Sequence, residues 1–228
     1  MQGKNENGRG RYALKSRWEE NLNSNLWGIL IVGVLLLVDM LTKILADVYF
    51  NMPDSPKAIE VIPGYLDFRI SYNQGMAFSM GQDAPIEAKL ALVIGTGMLF
   101  VVLFAFFLFA DKRRTWLRLS LLFVVAGGIG NFIDRILYLA DPNLLAGVRD
   151  MVRLKIWFMD FGVCNFADFF IVGGAVALIL AILFFDSGAI LPVGKYKALS
   201  KEMEEAEKAK KAAKKAQKAA EKQANTDK

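Results

Sequence analysis

Four long apolar segments, separated by polar stretches, dominate the chain. They cover residues 26–45, 88–110, 119–139 and 166–185, and each is close to the roughly 20 residues that an α-helix needs to cross a bilayer. The first segment is longer than the apolar part of a usual secretory signal, and no small-x-small cleavage site follows it. The pattern therefore predicts four transmembrane helices, the first of which is an uncleaved anchor.

Shorter patterns between the apolar segments predict a small amount of β-structure. Residues 66–72 alternate between apolar and polar side chains, as in a strand with one buried face. A turn signal, Asn73-Gln74-Gly75, follows directly. Residues 76–80 and 152–158 are further candidates for short strands. We therefore expect an all-α membrane protein with four transmembrane helices and a small extracytoplasmic β-platform and loop.

The two ends of the chain differ from its middle. Residues 1–25 are polar and basic, and the chain from Lys195 onward is rich in Ala, Lys and Glu, with almost no large apolar side chains after Met203. Such a tail cannot build a core. We predict a mobile N-terminal arm (1–25), a membrane domain (26–187) and a C-terminal tail (188–228) that is either a solvated helix or disordered.

Basic residues indicate the orientation of the four spans. They cluster in the N-terminal arm, in the short loop at residues 111–118 and in the tail, and the positive-inside rule predicts that all three are cytoplasmic. Polar side chains at the ends of the first, third and fourth spans then converge near the outer leaflet. The net charge of +5 adjoins these spans, so we attribute it to the membrane surface and not to a nucleic-acid partner.

Composition narrows the chemistry that the chain can perform. It contains no His, which excludes His-based triads, the common zinc sites and His proton relays. The single Cys, Cys164, can form neither an intrachain disulfide nor a metal cluster. Acid–base chemistry must therefore come from Asp, Glu, Lys or Tyr, and we expect neither a metal nor a cofactor.

Acidic residues between the third and fourth spans are the best candidates for that chemistry. Asp168 lies at the mouth of the fourth apolar segment, where an ionisable group is costly and is functional by default. Two adjacent carboxyl groups separate into one acid and one base, which suits the hydrolysis of a peptide bond. Spacing alone leaves Asp150, Asp160 and Asp134 as competing partners for Asp168.

The same carboxylates are compatible with two other functions. A proton-linked transporter uses intramembrane Asp residues as relays, although the chain shows no obvious internal repeat or broken helix. A non-catalytic four-helix scaffold is the third hypothesis. From the acidic residues alone, these alternatives stay open beside a carboxylate hydrolase.

Other polar residues within the spans have regular spacing. Asp39 and Lys43 are four residues apart on one helix face, either as a self-neutralising pair in lipid or as structural support for a site. Asn165 is a candidate N-cap for the fourth helix. Asn131, Asp134 and Arg135 share one face of the third helix. They follow a group of glycines that predicts close helix packing, namely Gly127, Gly128 and Gly130.

Five blocks, in order along the chain, resemble the lipoprotein signal peptidases, also called signal peptidase II. The blocks are DMLTK (39–43), NQGMAFS (73–79), GGIGNFIDR (127–135), GVRDM (147–151) and CNFAD (164–168). The resemblance spans about residues 26–185 and leaves both polar ends uncovered. It implies an intramembrane aspartic endopeptidase of the bacterial cytoplasmic (inner) membrane that cuts prolipoproteins N-terminal to a diacylglyceryl-modified Cys.

The resemblance also implies roles for individual residues. It makes Asp150 and Asp168 the catalytic pair and Asp160 a loop residue. It further implies a monomer that contacts membrane lipid and its prolipoprotein substrates, without a cofactor, a metal or a nucleic-acid partner. The residues that would bind substrate or support the pair are Asn73, Gly75, Asn131, Asp134, Arg135, Asn165, Asp39 and Lys43.

Overall fold

A computed structural model describes residues 6–75, 81 and 83–226. A π-helical turn, Ala181–Phe185, directly continues the fourth helix. The elements, in chain order, are α1 (Glu6–Phe50), β1 (Ile59–Ile62), β2 (Leu66–Asn73), α2 (Ile86–Phe109), α3 (Thr115–Ala140), β3 (Val148–Ile156), β4 (Met159–Cys164), α4 (Phe166–Leu180) and α5 (Lys195–Thr226).

Four helical segments are long and apolar enough to cross a membrane, which confirms the predicted number of spans. They are Leu22–Phe50, Ile86–Phe109, Thr115–Ala140 and Phe166–Phe185. In the most apolar window of the third segment 56% of the residues are buried, compared with 11–17% in the other three. Helix α3 is therefore the centre of the bundle, and the other three helices present most of their apolar surface to lipid.

Some boundaries differ from the sequence predictions. Helix α1 begins at Glu6, so the backbone of residues 6–25 is helical and continuous with the first span. Arg118, which the sequence analysis assigned to the basic loop, lies inside α3 and is buried. Its guanidinium donates to the carbonyl of Ala110 at 2.8 Å and to Asn25 Oδ1 at 2.7 Å. Of the two options predicted for the tail, the structure has a helix, α5.

The glycines of α3 allow neighbouring helices to approach closely, as predicted from their grouping. A Cβ atom on Gly127 would lie 2.3 Å from the Ala167 carbonyl oxygen, and one on Gly130 would lie 2.4 Å from Asp39 Oδ2. A Cβ atom on Gly128 would lie 2.1 Å from Cε1 of the Phe100 ring. The glycine face therefore brings the backbone of α3 against the start of α4 and the polar part of α1.

The four strands form one antiparallel sheet in the order β1-β2-β3-β4. Strand β2 lies where the alternation predicted a strand, but the expected buried apolar face is not observed, because its buried residue is Asp67 and Phe68 is exposed. Strand β1, with four exposed residues, and strand β4 had no clear sequence signal. Strand β3 begins four residues earlier than predicted and ends before a tight turn at Trp157 and Phe158. The further strand predicted at residues 76–80 lies outside the described residues.

The sheet is connected to the end of α1 through side chains of β2. The Tyr72 hydroxyl donates to the Asp47 carboxylate, and Asn51 Nδ2 donates to the Tyr72 oxygen at 2.7 Å. Within the sheet, Ser71 pairs with Asp150 and Asn73 pairs with Val148. The sheet therefore places Asp150 beside the ends of α1, α3 and α4.

Candidate active site

The first turn of α4 is held by two carboxylates and one amide. Asn165 is extended and forms a capping box with Asp168, in which the Asp168 N–H donates to Asn165 Oδ1 at 3.1 Å and the Asn165 N–H donates to Asp168 Oδ2 at 3.0 Å. Asp39 of α1 accepts the Ala167 N–H at 2.8 Å. Because the free N–H groups of a helix start favour negative charge, these contacts stabilise the first turn of α4.

Two asparagines bridge Asp150 and Asp168. Asn131 Nδ2 donates to Asp168 Oδ1 at 2.7 Å, and Asn165 Nδ2 donates to Asp150 Oδ1 at 2.6 Å. Asn165 Nδ2 also donates to Asn131 Oδ1 at 3.0 Å. The two carboxyl groups are thus connected through a continuous chain of amides from α3 and the start of α4.

The orientation of both amides follows from their partners. The Lys43 ammonium can only donate, and it lies 3.0 Å from Asn131 Oδ1, so the Asn131 NH₂ group must point to Asp168. The Asp168 backbone N–H can also only donate, so Asn165 Oδ1 faces it and the Asn165 NH₂ group points to Asp150. Donor and acceptor inventories therefore leave one arrangement in which every one of these contacts is satisfied.

Asp150 is held on β3 in a nearly closed environment. Its exposed fraction is 3%, and Asn165 and Asn73 both hydrogen-bond its carboxyl group. Burial, followed by the charge of Asp168, raises the pKa of Asp150 to about 7, against the lowering effect of the two asparagines. Asp150 is consequently the carboxyl group of the pair that retains a proton near neutral pH.

A buried ionic cluster lies behind the asparagines. The Lys43 ammonium contacts Asp39 Oδ2 at 2.8 Å and Asp134 Oδ2 at 3.5 Å, and Arg149 Nη2 contacts Asp134 Oδ1 at 2.6 Å. Asp39, Lys43 and Asp134 have no exposed surface. The Asp39–Lys43 pair therefore faces the bundle interior and contacts Asn131 and the Ala167 N–H; that it supports the site stays a prediction.

Arg149 is the functional-site residue that the sequence analysis missed. Arg149 directly precedes Asp150 on β3, and its backbone N–H donates to Asp134 Oδ2 at 3.1 Å. A charge count could have found it, because four acids gather here with only Lys43 and Arg135 predicted as cations. The acids are Asp39, Asp134, Asp150 and Asp168, and such a buried excess of negative charge needs a further cation.

Arg135 connects the carboxylate pair to the turn after β2. Arg135 Nη2 donates to the Gly75 carbonyl at 3.3 Å, and its guanidinium is within electrostatic range of both Asp150 and Asp168. The Gly75 N–H donates to Asn73 Oδ1 at 2.9 Å. The turn after β2 is therefore joined both to α3 and to the residue that contacts Asp150.

A groove that encloses about 430 Å³ of space, part of it open solvent, lies beside this turn, between α2 and α3. Most of its lining is apolar, and Arg135 and Gly75 are shared with the site. The lining residues are Gln74, Gly75, Gly81, Ala84, Ala88, Lys89, Leu92, Val93, Arg135, Tyr138 and Leu139.

Asp160 and Cys164 are not part of the carboxylate pair. Asp160 lies on β4, with 42% of its side chain exposed and its carboxylate 2.6 Å from Arg153 Nη2, and this contact lowers its pKa. Burial raises the pKa of the Cys164 thiol to about 12, so the thiol is an unreactive donor to the Val152 carbonyl at 3.2 Å. Asp160 therefore lacks the burial and the asparagine contacts that distinguish Asp150.

Most of the chain, including the site, matches one protein family. Residues 31–184, well over half of the chain, match the family model described as Signal peptidase (SPase) II. The chain belongs to the signal peptidase II family. The matched region contains all of the site residues described above and excludes residues 1–30 and the whole of α5.

Curated relatives of this family member are named lipoprotein signal peptidases. A lipoprotein signal peptidase of Ectopseudomonas mendocina is 34% identical over 169 residues, which cover 70% of this chain and 90% of the relative. A lipoprotein signal peptidase of Streptococcus thermophilus is 34% identical over 135 residues, or 58% of this chain and 78% of the relative.

Two solved structures of bacterial membrane enzymes share the fold of this signal peptidase II family member. One has a TM-score of 0.55 at 26% identity and covers 68% of this chain and 85% of its own. The other has a TM-score of 0.54 at 25% identity, covering 68% of this chain and 92% of its own. The expected architecture of four membrane helices with a small sheet is thereby confirmed.

Proposed function

We propose that this signal peptidase is an aspartic endopeptidase that removes signal peptides from diacylglyceryl-modified prolipoproteins, cutting N-terminal to the lipidated Cys. Family membership supports signal peptidase activity, and the relatives named lipoprotein signal peptidases support the substrate class. The observation that carries the catalytic type is the bridge between Asp150 and Asp168 through Asn131 and Asn165. The comparisons give no support to the transporter alternative.

The proposed mechanism divides acid and base work between the two carboxyl groups. Asp168, at the first turn of α4, accepts a proton from a water molecule as the water oxygen bonds to the scissile carbonyl carbon. Asp150, whose pKa is raised to about 7, donates its proton to the carbonyl oxygen. The tetrahedral intermediate then collapses: the C–N bond breaks, the leaving amine takes the proton held by Asp168, and one hydroxyl of the intermediate returns a proton to Asp150 as the new carboxyl group forms.

Substrate binding is proposed for the side of the carboxylate pair that carries Arg135 and Gly75. The Arg135 guanidinium and the backbone of the turn at Gly75 are polar groups beside the pair, so they suit contacts with substrate backbone. The apolar groove between α2 and α3 adjoins them and suits hydrocarbon from the substrate. Six further residues position the carboxyl groups through the contacts described above. They are Asn73, Asn131, Asn165, Asp39, Lys43 and Asp134.

We further propose that both termini are cytoplasmic and that the site lies near the outer leaflet. The buried contact of Arg118 with Asn25 joins the start of α3 to the first span, so the basic loop before α3 and the N-terminal extension lie at one end of the bundle. The carboxylate pair lies at the other end. Because basic loops remain on the cytoplasmic side, this arrangement supports an outward-facing site.

Cleavage of a diacylated lipobox peptide by the purified full-length protein tests the mechanism. Asp150→Asn and Asp168→Asn should each lower the rate by about 10²–10⁴-fold, because an amide keeps the shape but cannot transfer the proton. Asp160→Asn is the matched control and should cleave at the wild-type rate, since its carboxylate pairs only with Arg153 and the Gly162 N–H in the described chain.

Two results would count against the proposal. Full-rate cleavage by both Asp150→Asn and Asp168→Asn would exclude the dyad. Loss of cleavage in Asp160→Asn, with thermal unfolding unchanged, would move the dyad to the exposed hairpin.

A further inference from the structure

The C-terminal tail carries the whole net charge of the protein. Residues 195–228 contain 11 lysines and 6 acidic residues, whereas residues 1–194 contain 17 basic and 17 acidic residues. The signal peptidase II match ends at residue 184, so this charge belongs to a segment outside the family's shared region. An excess positive charge confined to one helix is an electrostatic footprint for an anionic partner.

The two halves of α5 differ in which residues are spaced four positions from their lysines. In the first half, Lys208 contacts Glu204 at 2.5 Å and Lys211 contacts Glu207 at 2.7 Å, each in the favourable i,i+4 order. In the second half, lysine follows lysine at this spacing, at positions 210, 214, 218 and 222 and at 211 and 215. Like charges four residues apart destabilise an isolated helix, so an anionic surface would stabilise this half.

The start of α5 is attached to the end of the membrane bundle. The Trp116 indole N–H donates to the Tyr196 hydroxyl at 2.7 Å, and the Ser200 hydroxyl donates to the Ser187 carbonyl at 2.8 Å. Both contacts lie within a few residues of the ends of spans α3 and α4. The headgroup layer of one leaflet is therefore the anionic surface that α5 meets at the highest effective concentration.

We propose that the second half of α5, residues 212–226, binds the anionic phospholipid headgroups of the leaflet at its own end of the bundle. Each lysine held near such a surface changes the bound-to-free ratio by about fivefold. The short connection to α4 favours lipid over a nucleic acid or an acidic protein, which would have to be recruited from solution. This contact adds a lipid-binding function to the chain and does not depend on the carboxylate pair.

Amide hydrogen exchange of the full-length protein in lipid nanodiscs tests the proposal. With discs that contain about one third phosphatidylglycerol, residues 212–226 should exchange at least tenfold more slowly than in discs of phosphatidylcholine alone. The difference should disappear in 1 M salt, where the screening length is about 3 Å. Replacing Lys214, Lys215, Lys218 and Lys222 by Gln should also remove it, because Gln keeps helix propensity and removes the charge.

The same four positions supply the matched control. Changing them to Arg keeps the charge and should keep the protection, and cleavage of a lipobox peptide in detergent should be equal in all three proteins, which verifies folding. Equal exchange in anionic and neutral discs would overturn the proposal. Protection by an added single-stranded polynucleotide in neutral discs, without protection by phosphatidylglycerol, would assign the helix to a nucleic-acid partner and would likewise overturn it.

Discussion

Replacing Asp150 by Asn should make the protein inactive but more stable above neutral pH. Asp150 is 3% exposed, and burial together with the Asp168 charge raises its pKa from 3.8 to about 7 in the folded state. The folded state therefore favours the protonated form, which is neutral. An asparagine is neutral at every pH, and its Oδ1 can still accept the hydrogen bond from Asn165.

The sign and size of the effect follow from proton linkage. Between about pH 4 and pH 7 the folded protein keeps a proton on Asp150 that the unfolded chain has released, so stability falls by about 1.4 kcal/mol per pH unit. The stabilising contribution is complete below the unfolded pKa and is lost as pH rises through the folded pKa. Over about three units the loss is about 4 kcal/mol, and this is the upper bound on the gain expected for Asp150→Asn at pH 8.

Thermal unfolding in detergent micelles from pH 4 to pH 9 measures the difference between the two proteins. The Tm of Asp150→Asn should rise relative to wild type across this range and level off above about pH 7. Asp160→Asn is the control of opposite sign, because the pKa of Asp160 is lowered by Arg153. Its contribution to stability is present at neutral pH and is lost as pH falls through the lowered pKa.

Two outcomes would refute this reasoning. If the curves of wild type and Asp150→Asn are parallel from pH 4 to pH 9, the buried carboxyl does not hold a displaced proton. If Asp160→Asn reproduces the gain in Tm above neutral pH, the effect comes from net charge and not from the burial of Asp150.

Three further predictions follow from the same contacts. Lys43→Met should lower the free energy of unfolding by about 3–5 kcal/mol in a denaturant titration, because it leaves the buried carboxylate of Asp39, 2.8 Å away, without its cation. Gly130→Ala should cost about 1–3 kcal/mol and slow cleavage, since its Cβ would lie 2.4 Å from that carboxylate. Gly33→Ala, whose Cβ would have nothing within 4 Å, should cleave at the wild-type rate and should not lower stability. The cleavage rate should fall as pH rises above about 7, when Asp150 loses its proton; a pH–rate profile that stays flat to pH 9 would contradict this role.

The sequence by itself determined the parts of the protein that depend on local composition. The four spans follow from the length and apolarity of single segments, and β2 follows from its alternation. The acidic residue at the start of α4 could be singled out because charge is costly at that depth. The glycine group of α3 could be assigned to packing from its spacing alone.

Tertiary structure decided which groups meet, because those contacts join distant parts of the chain. Asp39 accepts a hydrogen bond from a backbone N–H that is 128 positions away, and Lys43 reaches Asn131 across 88 positions. No local pattern shows that Asp39 and Lys43 face the bundle interior or that Arg149 completes their charge balance. The resemblance already preferred Asp150 to Asp160, and the structure adds the burial and the two asparagine contacts that distinguish Asp150.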